Sequence, residues 1–301
     1  MSHLITEAIE SFRRQDPDSK TPLALASNIL VKAEKFIVPS PNRFRIKVTE
    51  NSRPWLRMPY PIMAIEYEMD KEILRETSKL TNVETYKSSK RIALAIDITK
   101  HRPPWLLLNP DMDRGIIVTS FYTLDNDPNW QIAIGFLWFD TTAETELLVD
   151  DNHYSCMVSP VLYSRNVAGY VYDRSRGMTF ELIQNDVAEE LAATLKTLAL
   201  LNAKNTNTIT LPVSEKLNRK RIKNRKVPFF EYKTVDIFLD PSQQGKRIRP
   251  QDIARAVASR KLGTVRGHFK CRKTGIFWWS DHMRGSSAQG EVNKTYRIST
   301  P

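Results

Sequence analysis

The side chains best suited to chemistry lie in the last third of this 301-residue chain. Between Lys216 and Lys226, seven of eleven residues are basic: Lys216, Arg219, Lys220, Arg221, Lys223, Arg225 and Lys226. A run that dense cannot bury itself, so it is expected as a polyanion-binding arm or a solvated loop. Farther on, the run from Val265 to Lys273 is followed by Thr274-Gly275 and then by Ile276 to Ser280. Two β-rich runs joined by a glycine-containing turn predict a hairpin. Strand alternation puts Val265, Phe269 and Cys271 on one face and Arg266, His268, Lys270 and Arg272 on the other. Lys273 extends the cationic row into the turn. Trp278 and Trp279 go to opposite faces, so at least one indole lies beside that row. Rings beside Arg and Lys stack exposed bases while the cations follow the phosphates. The competing structural role is that both tryptophans, Phe269 and Phe277 close a small core, for which a short sheet needs aromatic area.

Some of the same residues could instead do catalysis. His268 and His282 flank the hairpin, and a histidine pair beside a basic patch supplies the base and acid for metal-independent cleavage of RNA. A strand histidine in a basic patch more often only bonds a phosphate or the backbone, so His268 and His282 are weak catalytic candidates. His268, Cys271 and His282 match structural zinc spacing poorly, and His153 with Cys156 is a looser pair still. Glu231-Tyr232-Lys233 fits half of a divalent-metal nuclease site, with Asp111 far upstream, but ordinary ion pairing explains it as well. Asp150, Asp151 and Asn152 read as a polar turn. No G-x-x-x-x-G-K-[ST], G-x-G-x-x-G or H-E-x-x-H occurs, and with only 10 glycines phosphate-cradling loops are scarce. No metal and no cofactor is expected, and binding is favoured over enzymatic activity.

The charge distribution points the same way. The net charge is +11, from 45 Lys and Arg against 34 Asp and Glu. Residues 214–301 hold 21 basic and 7 acidic residues, a net of +14, so the preceding part is −3. Clustered cations gain affinity by releasing counterions condensed on a polyanion, although a basic face can also serve solubility alone. A chain with 41% hydrophobic and 26% charged residues is of globular composition. Its two cysteines form no disulfide framework, its first residues read as an amphipathic helix rather than a signal peptide, and no apolar run approaches the roughly 20 residues that span a bilayer. A reducing cytoplasm is the expected compartment.

The elements that must hold these residues follow from periodicity. Ile5, Ile9 and Phe12 mark one helix, and Leu23, Ala26, Ile29, Leu30, Ala33 and Phe36 a second, opened by Pro22. Strands are expected at Phe44 to Val48, Ile62 to Tyr67, Arg91 to Ile98, Ile116 to Tyr122 and Gln131 to Phe139, with Val158 to Tyr163 and Gly169 to Tyr172 extending a mostly antiparallel sheet. A long helix begins near Asn185 and buries Val187, Leu191, Leu195 and Leu198. Further strand pieces are expected at Val227 to Tyr232 and Val235 to Leu239, and a short helix at Gln251 to Arg260. The class is α+β, divided near residue 207 into a 1–207 domain and a basic 208–301 module.

Several segments over roughly the last third of the chain carry a resemblance: Leu198-Ala199-Leu200-Leu201-Asn202, Lys216 to Arg221, Val227-Pro228-Phe229-Phe230-Glu231-Tyr232 and Arg266-Gly267-His268-Phe269-Lys270, followed by Trp278 and Trp279. Together, with an echo at Arg57-Met58-Pro59-Tyr60-Pro61, they resemble an uncharacterised family of bacteriophage and prophage proteins. The resemblance implies action inside a bacterial cytoplasm, on nucleic acid or on a host or defence protein, and implies no mechanism. RNA or single-stranded DNA is expected over duplex DNA, because no recognition helix is apparent. A host protein is the alternative partner.

Overall fold

Why should strands in a largely antiparallel sheet be apolar at almost every position, rather than at every second one? The computed structural model answers this by covering both faces of the sheet. It describes residues 3–15, 22–38, 54–69, 89–102, 114–124, 127–133, 135–139, 148–149, 154–155, 160–162, 180–237, 261–265, 268–279, 282–284 and 286–291. Its helices are α1 (Leu4–Gln15), α2 (Pro22–Lys32), α3 (Phe180–Leu201) and α4 (Glu215–Lys223). The strands are β1 (Glu34–Ile37), β2 (Ile62–Glu68), β3 (Lys90–Asp97), β4 (Ile116–Thr123), β5 (Trp130–Ile132), β6 (Gly135–Phe139), β7 (Leu148–Val149), β8 (Tyr154–Ser155), β9 (Pro160–Leu162), β10 (Thr206–Leu211), β11 (Tyr232–Ile237), β12 (Lys261–Val265), β13 (His268–Arg272), β14 (Gly275–Trp279), β15 (His282–Arg284) and β16 (Ser286–Glu291).

The main sheet has nine strands in the order β10-β11-β1-β2-β3-β4-β6-β9, with β5 also on β4. β1 is parallel to both of its neighbours, and the other pairings in this sheet are antiparallel. The α+β class is therefore as the sequence predicts. On one face Met63, Ile65, Ala93, Ala95 and Val118 pack with Val187, Leu191, Leu195 and Leu198 of α3. On the other, Ala64, Ile92, Leu94, Ile117 and Phe121 pack with Ile5, Ile9 and Phe12 of α1 and Leu30 of α2. Two buried faces require the continuous apolar runs seen in β2, β3 and β4.

Charged groups inside this sandwich are partnered. Tyr67, Arg91 and Tyr122 occupy one row across β2, β3 and β4. The Arg91 guanidinium donates to Glu190 of α3 at 2.9 Å, and the Tyr67 hydroxyl donates to the same carboxylate oxygen at 2.9 Å. On the opposite face Glu66 accepts from the backbone N–H of Ile5 at 3.0 Å, and so caps the positive end of α1. Burial pushes the Glu66 carboxyl up to about 7, against the opposing pull of that bond and of the Tyr232 hydroxyl beside it. Lys35 donates to the carbonyls of Val31 and Ala33 at 2.9 and 2.6 Å and lies 4.3 Å from the ring centre of Phe230. Burial lowers the Lys35 ammonium to about 8.

Several expectations are revised. Phe36, expected on the second helix, lies on β1, because α2 stops at Lys32; the single strand expected at Gln131 to Phe139 is two, β5 and β6, both paired with β4; and Val265, expected on the first hairpin strand, lies on β12, which pairs with β15. The long helix begins at Phe180 rather than near Asn185, because Glu181, Leu182 and Ile183 extend it by a turn and place Asn185 inside. The basic run, expected as an arm or loop, is largely a helix. Strand structure after it begins at Tyr232, not Val227, because Val227 to Phe230 anchors that helix instead. The division expected near 207 falls at the start of β10, just after α3, and β10 and β11 pair into the same sheet as β1. The elements expected at Phe44 to Val48, Gly169 to Tyr172 and Gln251 to Arg260 lie outside the described residues.

Candidate nucleic-acid interface

The basic run folds because its residues are good helix formers with matched ends. Ser214 caps α4 by accepting from the N–H of Leu217, Glu215 lies in the first turn, and Lys220, Arg221 and Lys223 lie in the last, each favourable for the helix dipole. The helix ends in a turn in which Lys226 N–H donates to Arg221 carbonyl at 2.9 Å and Arg225 N–H to Ile222 carbonyl at 3.0 Å. This closure puts a left-handed residue just past the helix. Here that residue is Arg225, at φ 55°, where glycine would be unstrained.

Arg221 is not available to a phosphate in the way its neighbours are. Its guanidinium donates to Glu10 of α1 at 2.7 Å and to the Val227 carbonyl at 2.7 Å, and lies 3.9 Å from the centre of the Phe229 ring. The Val227 N–H adds a bond to Glu10 at 3.0 Å, while the Asn218 side chain donates to the Phe229 carbonyl at 2.9 Å and accepts its N–H at 2.8 Å. Arg221 and Asn218 thus moor α4 to the α1 side of the sheet. Lys216, Arg219, Lys220, Lys223, Arg225 and Lys226 are exposed. Arg219 shares its charge with Glu215 at 3.0 Å, an exposed pair worth little.

The hairpin of β13 and β14 has a continuous antiparallel register: His268 opposite Trp279, Phe269 opposite Trp278, Lys270 opposite Phe277, Cys271 opposite Ile276 and Arg272 opposite Gly275. Residues opposite one another share a face. Phe269, Cys271, Ile276 and Trp278 form the inner side, which joins the α3-side core. Trp278 is 9% exposed, with Phe269 edge-on to it at 5.0 Å. Asn205 clamps the Trp278 backbone by donating to its carbonyl at 2.7 Å and accepting its N–H at 2.8 Å, and Lys204 N–H donates to the Ile276 carbonyl at 3.0 Å. Gly275 has φ 141°, and a Cβ there would meet the Lys204 side chain at 2.7 Å. Glycine serves both the turn and that close approach.

The outer side combines cations and rings. Lys270 Nζ lies 4.6 Å from the Trp279 ring centre, the Arg272 guanidinium 5.7 Å from that of Phe277, and Lys204 Nζ 5.9 Å from the same ring. Trp279, Phe277 and Lys270 are half-buried, and Arg272 and Lys273 are exposed. The two tryptophans thus divide: Trp278 is core and Trp279 stands beside the basic row. Lys204 belongs to that row in space but precedes it by more than sixty residues, a proximity that charge-run counting misses. Phe277 was legible only as possible core, since its face depends on the register.

The two basic segments are not one surface. The hairpin packs on the α3 side of the sheet, whereas Val227 and Phe230, which anchor α4, pack on the α1 and α2 side. His268 lies on β13, whereas His282 lies on β15, paired with Val265 of β12 in another sheet. Arg266 is outside the described residues. Lys233 of the nuclease-like triplet bonds Glu34 at 2.9 Å and the Tyr60 hydroxyl at 3.0 Å, while Tyr232 is buried. Among the described residues no three His, Cys, Asp or Glu side chains gather as a metal site requires, and no helix is long and apolar enough to cross a membrane. The chain matches no protein-family model, no curated protein and no solved structure.

Proposed function

We propose that this chain is a phage-type accessory protein that binds nucleic acid, RNA or single-stranded DNA, through its basic C-terminal third in a bacterial cytoplasm. The observation that carries the reading is the division of the hairpin, which buries Trp278 and turns Trp279, Phe277, Lys270 and Arg272 to one outer face. In a nucleic-acid complex those rings stack on bases and the cations neutralise phosphates. The exposed lysines and arginines of α4, on the other side, add attraction at range that salt screens within about 10 Å. The test is binding of the intact chain to single-stranded RNA, single-stranded DNA and duplex DNA across a salt series. Replacing Lys270 and Arg272 together by Ala weakens binding and flattens the salt slope by about 2; unchanged affinity and slope in a folded variant would reject the placement.

A second reading, a factor that grips a bacterial host protein, is favoured by one observation. β10 is the last strand of the main sheet in its order, residues 207–210 are exposed, and Thr206–Leu211 carries neither a charge nor a proline. Those are the usual guards of a sheet edge, and Ile209 is exposed on it. An extended host segment adding to β10 predicts a defined complex that survives nuclease treatment and is lost in Ile209→Lys.

A further inference from the structure

On the outer hairpin face, rings and cations alternate along a diagonal. Lys270 sits opposite Phe277 in the register yet reaches over Trp279, two residues along β14, and Arg272, opposite Gly275, reaches over Phe277. Each ring therefore has its own cation, and Phe277 has a second in Lys204. Phe277 and Trp279 are an i, i+2 pair on one strand face, about 6.8 Å apart along the strand. Adjacent bases in a duplex strand rise about 3.4 Å, half that step, with their faces sealed by stacking. Only an extended, unstacked strand offers successive bases at the spacing of these rings.

We propose that β14 is a two-base stacking track for single-stranded nucleic acid, with Phe277 and Trp279 receiving consecutive bases and Lys204, Lys270 and Arg272 contacting the flanking phosphates. This rests on the nucleic-acid reading and adds to it that the bound strand is extended and unstacked, its step along the protein, and one residue, Lys204. In the free protein the cations occupy the neighbourhood of the rings. A cation over a partly exposed ring is held more weakly than a stacked base, so the base displaces it. The flexible Lys270 and Lys204 stems then carry their ammonium groups to the phosphates. Gly275 is part of the device, since its missing side chain lets Lys204 lie across the hairpin turn beside Phe277.

The test uses the intact chain with fluorescently labelled oligothymidylates of one, two, four and eight residues, and a hairpin duplex, at fixed salt. Phe277→Leu and Trp279→Leu keep apolar bulk but remove the stacking face, while Phe277→Tyr and Trp279→Phe keep it. The expected result is a rise in affinity from one to two residues and preference for the eight-residue strand over the duplex. Each Leu variant should lose about 5- to 100-fold for that strand, and the aromatic replacements should restore most of it. Leu variants that bind like the wild type, while Lys270→Ala with Arg272→Ala still loses affinity, would overturn the track and leave the phosphate-binding reading standing. If the cation variant also binds normally, both fall.

Discussion

The α4 helix has the higher density of charge and the β13–β14 hairpin has the rings, and the two are fastened to the molecule in opposite ways. In α4 a cation does the fastening: Arg221 bonds Glu10 and covers Phe229, and the other basic groups point to solvent. In the hairpin an aromatic residue does it: Trp278 fills the core and is clamped by Asn205, which leaves cations and two rings outside. The densest run of charge in a sequence is thus not automatically the binding element. Part of it is spent on docking, and without rings what remains attracts a polyanion but does not read a base.

The greatest loss is expected within the hairpin. Trp278→Ala should cost about 3–5 kcal/mol of stability through a large cavity. Trp279→Ala, on the outer side, should cost less than about 1 kcal/mol while weakening nucleic-acid binding. Chemical denaturation beside a binding titration separates the two, and equal destabilisation would put Trp279 in the core as well. Next is α4: Arg221→Ala should lose about 2 kcal/mol, because Glu10 and the Val227 carbonyl lose a charged donor, whereas exposed Lys220→Ala should stay within about 0.5 kcal/mol. A Lys220 effect as large as that of Arg221 would break the distinction between docking and solvated charge.

A pH-dependent effect concerns the side of the sheet on which α4 docks. The Glu66 carboxyl, ordinarily near 4.5, is raised to about 7 in the folded protein. Between those values the folded state holds a proton that the unfolded chain has released. The contribution is therefore complete below about pH 4.5 and is lost as pH rises through 7, on the order of 3 kcal/mol. Glu7 nearby raises the carboxyl further, while the Ile5 and Leu4 N–H groups and the Tyr232 hydroxyl oppose the shift. Melting temperatures from pH 5 to 8 should fall for the wild type more steeply than for Glu66→Gln, and parallel curves would contradict this.

Much of the fold was legible because periodicity reports burial. Ile5, Ile9 and Phe12 predicted α1, and β2, β3 and β4 appeared within a residue or two of their sequence-based bounds. The identity of α4 was hidden, because a run of Lys and Arg has no apolar stripe, and its helicity rests on propensity, the Ser214 cap and one long-range ion pair. The hairpin alternation was readable from residue types, including the split of Trp278 and Trp279. Lys204 was not, since only the docking of β14 against the α3–β10 junction brings it beside Phe277. Nor could composition show that the sheet separates the two basic segments.

Lysine reactivity distinguishes the proposed contact of the hairpin face with nucleic acid from contact through α4. The intact chain would be modified with an amine-reactive reagent with and without saturating single-stranded DNA, and each lysine's extent read by mass spectrometry. Protection at Lys204, Lys270 and Lys273, with Lys216, Lys220 and Lys223 still reactive, is the predicted result. Protection confined to the α4 lysines, with the hairpin lysines unchanged, would contradict it.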